Sequence, residues 1–274
     1  MIDGVELQNL QEKSKNIRKS IVEMVYSAAS GHPGGSLSIT DVFTVLYFKE
    51  LNIDVNNQKD ANRDRVVLSK GHCSPALYST LAEKGFFPKE DLNTFRKVDS
   101  YLQGHPDMKK IPGVDMTSGS LGQGLSIANG MALAGKLDNK EYRVYCICGD
   151  GEIQEGQIWE AAMSSSHYKL DNLCVIVDNN NLQIDGSVEN VMNPHPIDKK
   201  FESFGFNVLV IDGHNFEEIL DAFEKAKQTK GKPTAIIAKT IKGKGVSFME
   251  NQAGWHGKAP KEEEYKIAME ELSK

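Results

Sequence analysis

Several large protein classes are excluded by what this sequence lacks. It has no basic stripe: 32 lysines and arginines stand against 38 aspartates and glutamates, a net charge of −6, so the positive field that a nucleic-acid partner demands is missing. Its four cysteines, Cys73, Cys146, Cys148 and Cys174, show no CxxC spacing and three lie in apolar runs. They read as buried thiols rather than zinc ligands or a disulfide framework. No apolar run approaches the ~18 residues of a membrane helix, and the opening MIDGVELQNL has no basic stretch followed by an apolar core. A soluble, cytoplasmic protein with no membrane partner is expected. Nucleotide loops are missing too. Gly119 to Gly124 is spaced GxxGxG and not GxGxxG, no acidic strand end follows at the usual interval, and Lys242-Gly243-Lys244-Gly245 lacks the Walker frame. Repeats, low-complexity tracts and a splitting linker are likewise absent.

What is present centres on Gly149 to Gly186. An apolar run, Tyr142 to Cys148, reads as a buried parallel strand, Gln154 to Lys169 as a helix, and Leu173 to Val177 as a second strand leading into Asp178-Asn179-Asn180-Asn181. This is a βαβ unit, and ligands of open parallel sheets sit at the carboxyl ends of the strands. Those ends carry Gly149-Asp150-Gly151 and the asparagine cluster. A hard cation such as Mg²⁺ takes few oxygen ligands from protein, and Asp150, Asn180 and a carbonyl just after Asn180 can supply them. Gly149 and Gly151 let a diphosphate approach backbone N–H groups at the start of the helix. A capped turn followed by an Asx turn explains either motif alone, but not the two at this spacing.

The rest of the chain alternates helix and strand, and with 39% hydrophobic residues over 274 positions it can bury one large domain. Leu7 to Ser30 predicts a helix ending in a tight loop, Gly31 to Ser36, with a second helix from a cap at Thr40 to Leu51. Arg65 to Leu68 predicts a strand, followed by Ser69-Lys70-Gly71-His72 and a helix near Pro75. Thr117 to Gly124 opens a long helix, Phe206 to Ile211 and Pro233 to Lys239 are strands around a helix from Phe216 to Lys227, and the charged tail from Lys261 is helical. The fold expected is a single α/β domain over residues 1–274, three layers with a mostly parallel sheet.

Four of the seven histidines adjoin glycine in loops: His32, His72, His105 and His256. Each alone suits a turn cap; four in one chain point to proton transfer, for which imidazole is suited near neutral pH. His214 also follows glycine, but its loop caps a helix and it reads as structural. His167 and His195 lack chemical context. Lys239 and Lys244 read as a solvated face.

GDG followed about thirty residues later by NN resembles the signature of thiamine diphosphate enzymes. SGHPGGSLS, LSKGHCSPALY, QGHPD, TSGSLGQG, GDGEIQEG, DNNNL, KGKG and WHGKAP occur in the order seen in the amino-terminal, diphosphate-binding domain of transketolases, and the resemblance runs from about Ser14 to Pro260. It implies thiamine diphosphate with Mg²⁺ (Ca²⁺ or Mn²⁺ in substitution), held by Asp150, Asn180 and the main-chain oxygen of Leu182. Cofactor contacts would come from the Gly149-Asp150-Gly151-Glu152 loop, from His72, Asn180, Lys242 and His256, and from Gly119 and Leu121 at the thiazolium pocket. His32, His72, His105 and His256 would serve catalysis. The reaction implied is transfer of a two-carbon ketol unit from a ketose phosphate to an aldose.

Transketolases carry two further domains, pyrimidine-binding and carboxy-terminal, and the first supplies the glutamate that activates the cofactor. Nothing in these 274 residues corresponds to them. The resemblance therefore implies the amino-terminal subunit of a split enzyme, with a separately encoded partner in an α₂β₂ assembly. Glu155 and Glu160 match acidic positions at the family's subunit interface, and Trp159 between them belongs to the interface or to the helix core. The competing readings are the α subunit of a 2-oxoacid dehydrogenase, 1-deoxyxylulose-phosphate synthase, and a non-catalytic module that kept the fold.

Overall fold

The computed structural model describes residues 2–274. In chain order its main elements are α1 (Gly4–Ser27), α2 (Pro33–Val45), β1 (Arg65–Leu68), α3 (Ser74–Lys84), α4 (Gly124–Leu137), β2 (Val144–Gly149), α5 (Gly156–His167), β3 (Leu173–Asn179), β4 (Leu182–Gln183), β5 (Gly186–Ser187), α6 (Val188–Met192), α7 (Ile197–Ser203), β6 (Asn207–Asp212), α8 (Phe216–Gln228), β7 (Thr234–Lys239) and α9 (Glu262–Glu271). Five strands form one sheet in the order β1-β2-β3-β7-β6, every pair parallel; β4 and β5 make a separate two-stranded hairpin. This is the expected α/β architecture.

Side chains alternate across the sheet and divide the core in two. Leu68, Tyr145, Ile147, Cys174, Ile176 and Ile236 face a core built with α1, α2, α3 and α8. Val67, Cys146, Cys148, Val175, Val177 and Ile237 face a second core built with α4, α5 and α7. Both faces being covered explains why β3 reads as an unbroken apolar run: all seven of its residues are buried. The four cysteines are free and buried, as their settings imply. No described helix is long and apolar enough to cross a membrane.

The second helix starts earlier than the sequence suggests. The stretch Pro33 to Ser36 is not a loop and Thr40 is not a cap; α2 begins at Pro33, whose fixed φ suits the first helical position. Every residue of α2 is buried, and its hydroxyls stay satisfied by bonding back along the helix, Ser36 Oγ to His32 O at 2.7 Å and Thr40 Oγ1 to Ser36 O at 2.9 Å. Two glycines let it lie this deep. A Cβ on Gly34 would stand 2.8 Å from the Trp255 carbonyl, and one on Gly35 would stand 2.8 Å from Cys73 Sγ.

Candidate active site

Parallel strands point their carboxyl ends the same way, so β1, β2, β3 and β7 deliver the segments after them to one crevice. Lys70 and His72 follow β1, Gly149 to Glu152 close β2, Asp178 to Asn181 close β3, and Lys242 follows β7. The amino terminus of α2 brings His32, and the turn at Ala253–Trp255 brings His256.

Asp150 is 2% exposed and fully engaged by protein donors. Its Oδ1 accepts from the Gly151 N–H at 2.8 Å; its Oδ2 accepts from the Asn181 N–H at 2.5 Å and from Asn179 Nδ2 at 3.2 Å. Burial, reinforced by the nearby Asp178 charge, still pushes its carboxyl up to about 6. A buried carboxylate with no direct ion-pair partner suits a cation. Asn180 Oδ1 accepts the Leu182 N–H at 3.1 Å, while its Nδ2 donates to Ser38 Oγ at 3.2 Å. The Leu182 carbonyl accepts from Lys242 Nζ at 3.2 Å. Two of the three groups expected to hold a metal, Asn180 Oδ1 and the Leu182 carbonyl, thus lie on one short loop joined to the third, Asp150, by the Asn181 amide. Among the described residues no group of three or more His, Cys, Asp or Glu could hold a metal ion; the expected set contains one carboxylate.

His32, His72 and His256 form a triangle, with ring centroids 5.2, 5.4 and 5.0 Å apart. Burial, then the positive charges around them, lowers His32 and His72 to about 4 and His256 to about 3, so all three imidazoles are neutral at pH 7. Lys242 Nζ lies 3.1 Å from His256 Nδ1 and donates to it, which leaves the ring proton on Nε2. His32 Nδ1 is buried without a partner, an orphan polar atom that a ligand would satisfy. His105 is exposed and stands outside the triangle, its ring against Gly119, where a Cβ would approach to 3.2 Å. Gly119 has φ +152°, so a side chain there would be both crowded and strained. Leu121 is 40% exposed beside it.

Glu152 is a brace within the crevice wall. Its Oε1 accepts from Ser69 Oγ at 2.5 Å and from the Gly122 N–H at 2.9 Å, and its Oε2 accepts from the Gly149 N–H at 3.0 Å. One buried carboxylate therefore joins the loops after β1 and β2 to the glycine loop before α4. Trp159 packs its ring 5.2 and 5.4 Å from Phe201 and Phe204, which assigns it to the core beneath α5. Glu155 and Glu160 are exposed. The loop that holds His214 caps α8 as expected, through Asn215, whose side chain accepts from the Glu217 and Glu218 N–H groups.

Sequence pattern alone does not single out Lys70 and Asp178, buried at 2% and 0% and paired with each other. Ser38 Oγ donates to Asp178 at 2.6 Å, and Thr240 donates to the same carboxylate. Reading β3 as ending at Val177 hides this; two more residues extend the strand and turn Asp178 into the sheet. Lysine in the LSKGH stretch is the available signal, since a lysine closing an apolar strand beside glycine and histidine calls for a partner.

A doubly covered parallel sheet with an aspartate–asparagine pair at adjacent strand ends and basic groups around them defines a diphosphate-binding enzyme domain. Comparison narrows the class: residues 10–273 match the family model described as the transketolase thiamine diphosphate binding domain, and this chain belongs to that family. It is 47% identical over 266 residues to a 6-deoxy-6-sulfo-D-fructose transketolase subunit of a Clostridium species, covering 97% of each chain. It is 44% identical to an apulose-4-phosphate transketolase subunit of Phocaeicola vulgatus, covering 98% of this chain and 95% of that one. Human transketolase is 43% identical over 260 residues, but the match takes in 41% of its length. The crystal structure of Campylobacter jejuni transketolase superposes with a TM-score of 0.91 at 39% identity, covering 97% of this chain and 43% of that one. This chain therefore spans less than half the length of the single-chain transketolases it matches.

Proposed function

We propose that this chain is the amino-terminal subunit of a transketolase built from two kinds of chain, moving a two-carbon ketol unit from a ketose phosphate to an aldose. The observation that carries the reading is a single crevice into which Asp150, Asn180, two buried lysine side chains and three imidazoles converge. When bound, thiamine diphosphate supplies the electron sink for breaking and remaking the ketose carbon–carbon bond.

The residues present fit that group. Asp150, Asn180 Oδ1 and the Leu182 carbonyl make a hard oxygen set of the size Mg²⁺ accepts from protein, the rest of its shell being left to phosphate and water. Lys242 lies where it can meet an anion, and Lys70 adds positive potential behind it. Gly149 and Gly151 keep the backbone at the end of β2 open to close approach; a Cβ on Gly149 would meet nothing nearer than 3.6 Å. His72 and His256 contact the diphosphate side of the crevice, Gly119 and Leu121 line its ring end, and the neutral imidazoles of His32 and His256 accept or return protons at Nδ1 and Nε2, with His105 at the rim.

The two-chain reading is supported by the two relatives named as subunits, which match this chain over 97% and 95% of their own lengths. Their names assign them sugars carrying a sulfonate or a phosphate; an anionic ketose is the substrate class proposed here, its tail read mainly by the partner. Exposed Ile127 on α4 and Met163 and Glu160 on α5, with Leu121 and Glu155 just before those helices, form the face that pairs subunits into an α₂β₂ assembly. A cytoplasmic setting suits four free buried thiols. Calorimetry with Mg²⁺ in the presence of the partner tests the core of the reading. Thiamine diphosphate should bind and ATP should not; the reverse result would overturn it.

A further inference from the structure

His214 lies away from the crevice, yet it grips the segment that enters it. Its Nε2 accepts the Ile241 N–H at 2.9 Å, which leaves the proton on Nδ1, and Nδ1 donates to Asp41 Oδ2 at 2.8 Å. Asp41 is 4% exposed and is held in turn by Arg18, whose Nη1 and Nη2 donate at 2.8 and 2.7 Å, and by Ser14 Oγ. Arg18 Nε reaches on to the Lys244 carbonyl at 3.1 Å. Lys242 therefore sits on a segment pinned on both sides, at the amide before it and at the carbonyl two residues after it, by groups that meet at one carboxylate.

Lys242 needs that support. Its side chain is buried, and its partners are a carbonyl and an imidazole rather than a carboxylate. Nothing at the ammonium end fixes it strongly, so its place is decided by the backbone that carries it. We propose that Asp41 and His214 are positioning residues that set Lys242 in the crevice, acting through the Ile241 amide. The inference rests on the reading that this crevice takes a diphosphate.

The test measures the affinity of the two-chain protein for thiamine diphosphate with Mg²⁺ by calorimetry. His214→Asn keeps a donor for Asp41 but is too short to reach Ile241, and it should weaken binding about tenfold, the range found when groups that orient a ligand are removed. His214→Gln keeps an acceptor for the Ile241 amide and should hold affinity within about threefold. A role confined to satisfying Asp41 would reverse that order and overturn the proposal. In a Lys242→Ala background the His214→Asn loss should shrink to less than about twofold, because the residue being positioned is gone. An undiminished loss there, or no loss in either background, also overturns it. Asp150→Ala separates the two levels: if that variant still binds normally the crevice reading itself fails, whereas lost binding with Lys242→Ala unaffected rejects the positioning role alone. Thermal unfolding of each variant confirms that only folded protein is compared.

Discussion

Lys70 and Asp178 form an ion pair across the end of β2, one following β1 and the other closing β3, with both side chains almost entirely shut off from solvent. Burial alone would raise the Asp178 carboxyl, but the Lys70 ammonium beside it reverses the effect and holds it below the usual range; the same pairing raises Lys70. Breaking such a pair leaves a charge buried without compensation. Asp178→Asn should therefore destabilise the domain by about 3 kcal/mol or more in urea unfolding. Lys70→Met with Asp178→Leu should lose less than the single change.

Asp150 offers a different experiment, because its burial works against its charge. Asp150→Ala removes the one carboxylate of the proposed metal set and should weaken Mg²⁺-dependent thiamine diphosphate binding by about 10²-fold or more, while the fold survives. Calorimetry beside a far-ultraviolet dichroism spectrum checks both halves. Normal binding would remove Asp150 from the metal site.

The histidines divide by position. His32 belongs to the triangle and carries an unpartnered nitrogen, and His105 stands at the rim against Gly119. Neither touches Asp150 or Asn180, so His32→Ala and His105→Ala should each lower kcat by about 10²-fold with cofactor affinity little changed. Steady-state rates alongside titrated affinities decide it; an unchanged kcat returns the residue to a structural role.

Protonation makes a prediction of known sign. His32, His72 and His256 are lowered to about 4, 4 and 3 from an unfolded value of 6.5, so between pH 6.5 and 4 the unfolded chain binds more protons at them and stability falls as pH drops. Asp150, raised to about 6, opposes this, since the folded state takes up its proton first. Glu152 and Asp64, raised by burial, act with Asp150, while Asp41 and Asp178, held low by their cationic partners, act with the three histidines, so the fall prevails. Unfolding midpoints of the cofactor-free chain should fall from pH 6.5 to 4.5, more steeply in Asp150→Asn and less steeply in His256→Phe; parallel curves for the three proteins would refute the assignment.

Much of this is legible in the sequence because local pattern and long-range role coincide where strands end. Tyr142 to Cys148 and Leu173 to Val177 are apolar runs whose ends have to carry Asp150 and Asn180, and the parallel sheet follows from the alternation with helices. What cannot be read depends on burial. Pro33 to Ser36 resembles a loop in isolation and becomes helix only because Trp255 and Cys73 close over Gly34 and Gly35. Glu152 reads as part of a ligand loop, and its brace role emerges from Ser69 and Gly122, distant in sequence. His214 reads only as a structural residue in a helix-capping loop, and its contact with Asp41 spans 173 positions that no local pattern encodes.

Dependence on a second chain is the last prediction, and it follows from how the crevice is furnished. On the proposed reading Asp150, Asn180, Lys242 and the histidine triangle serve a diphosphate and a carbonyl compound, but the remaining titratable acids of the crevice, Glu152 and Asp178, are both committed to protein donors. Neither is free to act as the acid that activates an aminopyrimidine. On the two-chain reading that group arrives with the partner, and the proposed docking face carries the exposed apolar side chains Leu121, Ile127 and Met163 with Glu155 and Glu160. The 274-residue chain alone should show no ketol transfer and should bind cofactor weakly. Adding a chain that carries a pyrimidine-binding domain should restore aldose-dependent cleavage of a ketose phosphate, and Ile127→Asp or Met163→Asp should block the restoration without lowering the stability of the isolated chain. Full turnover from this chain by itself would refute the two-chain reading; turnover confined to the mixture, and lost with either aspartate, would establish both the requirement and the face that meets it.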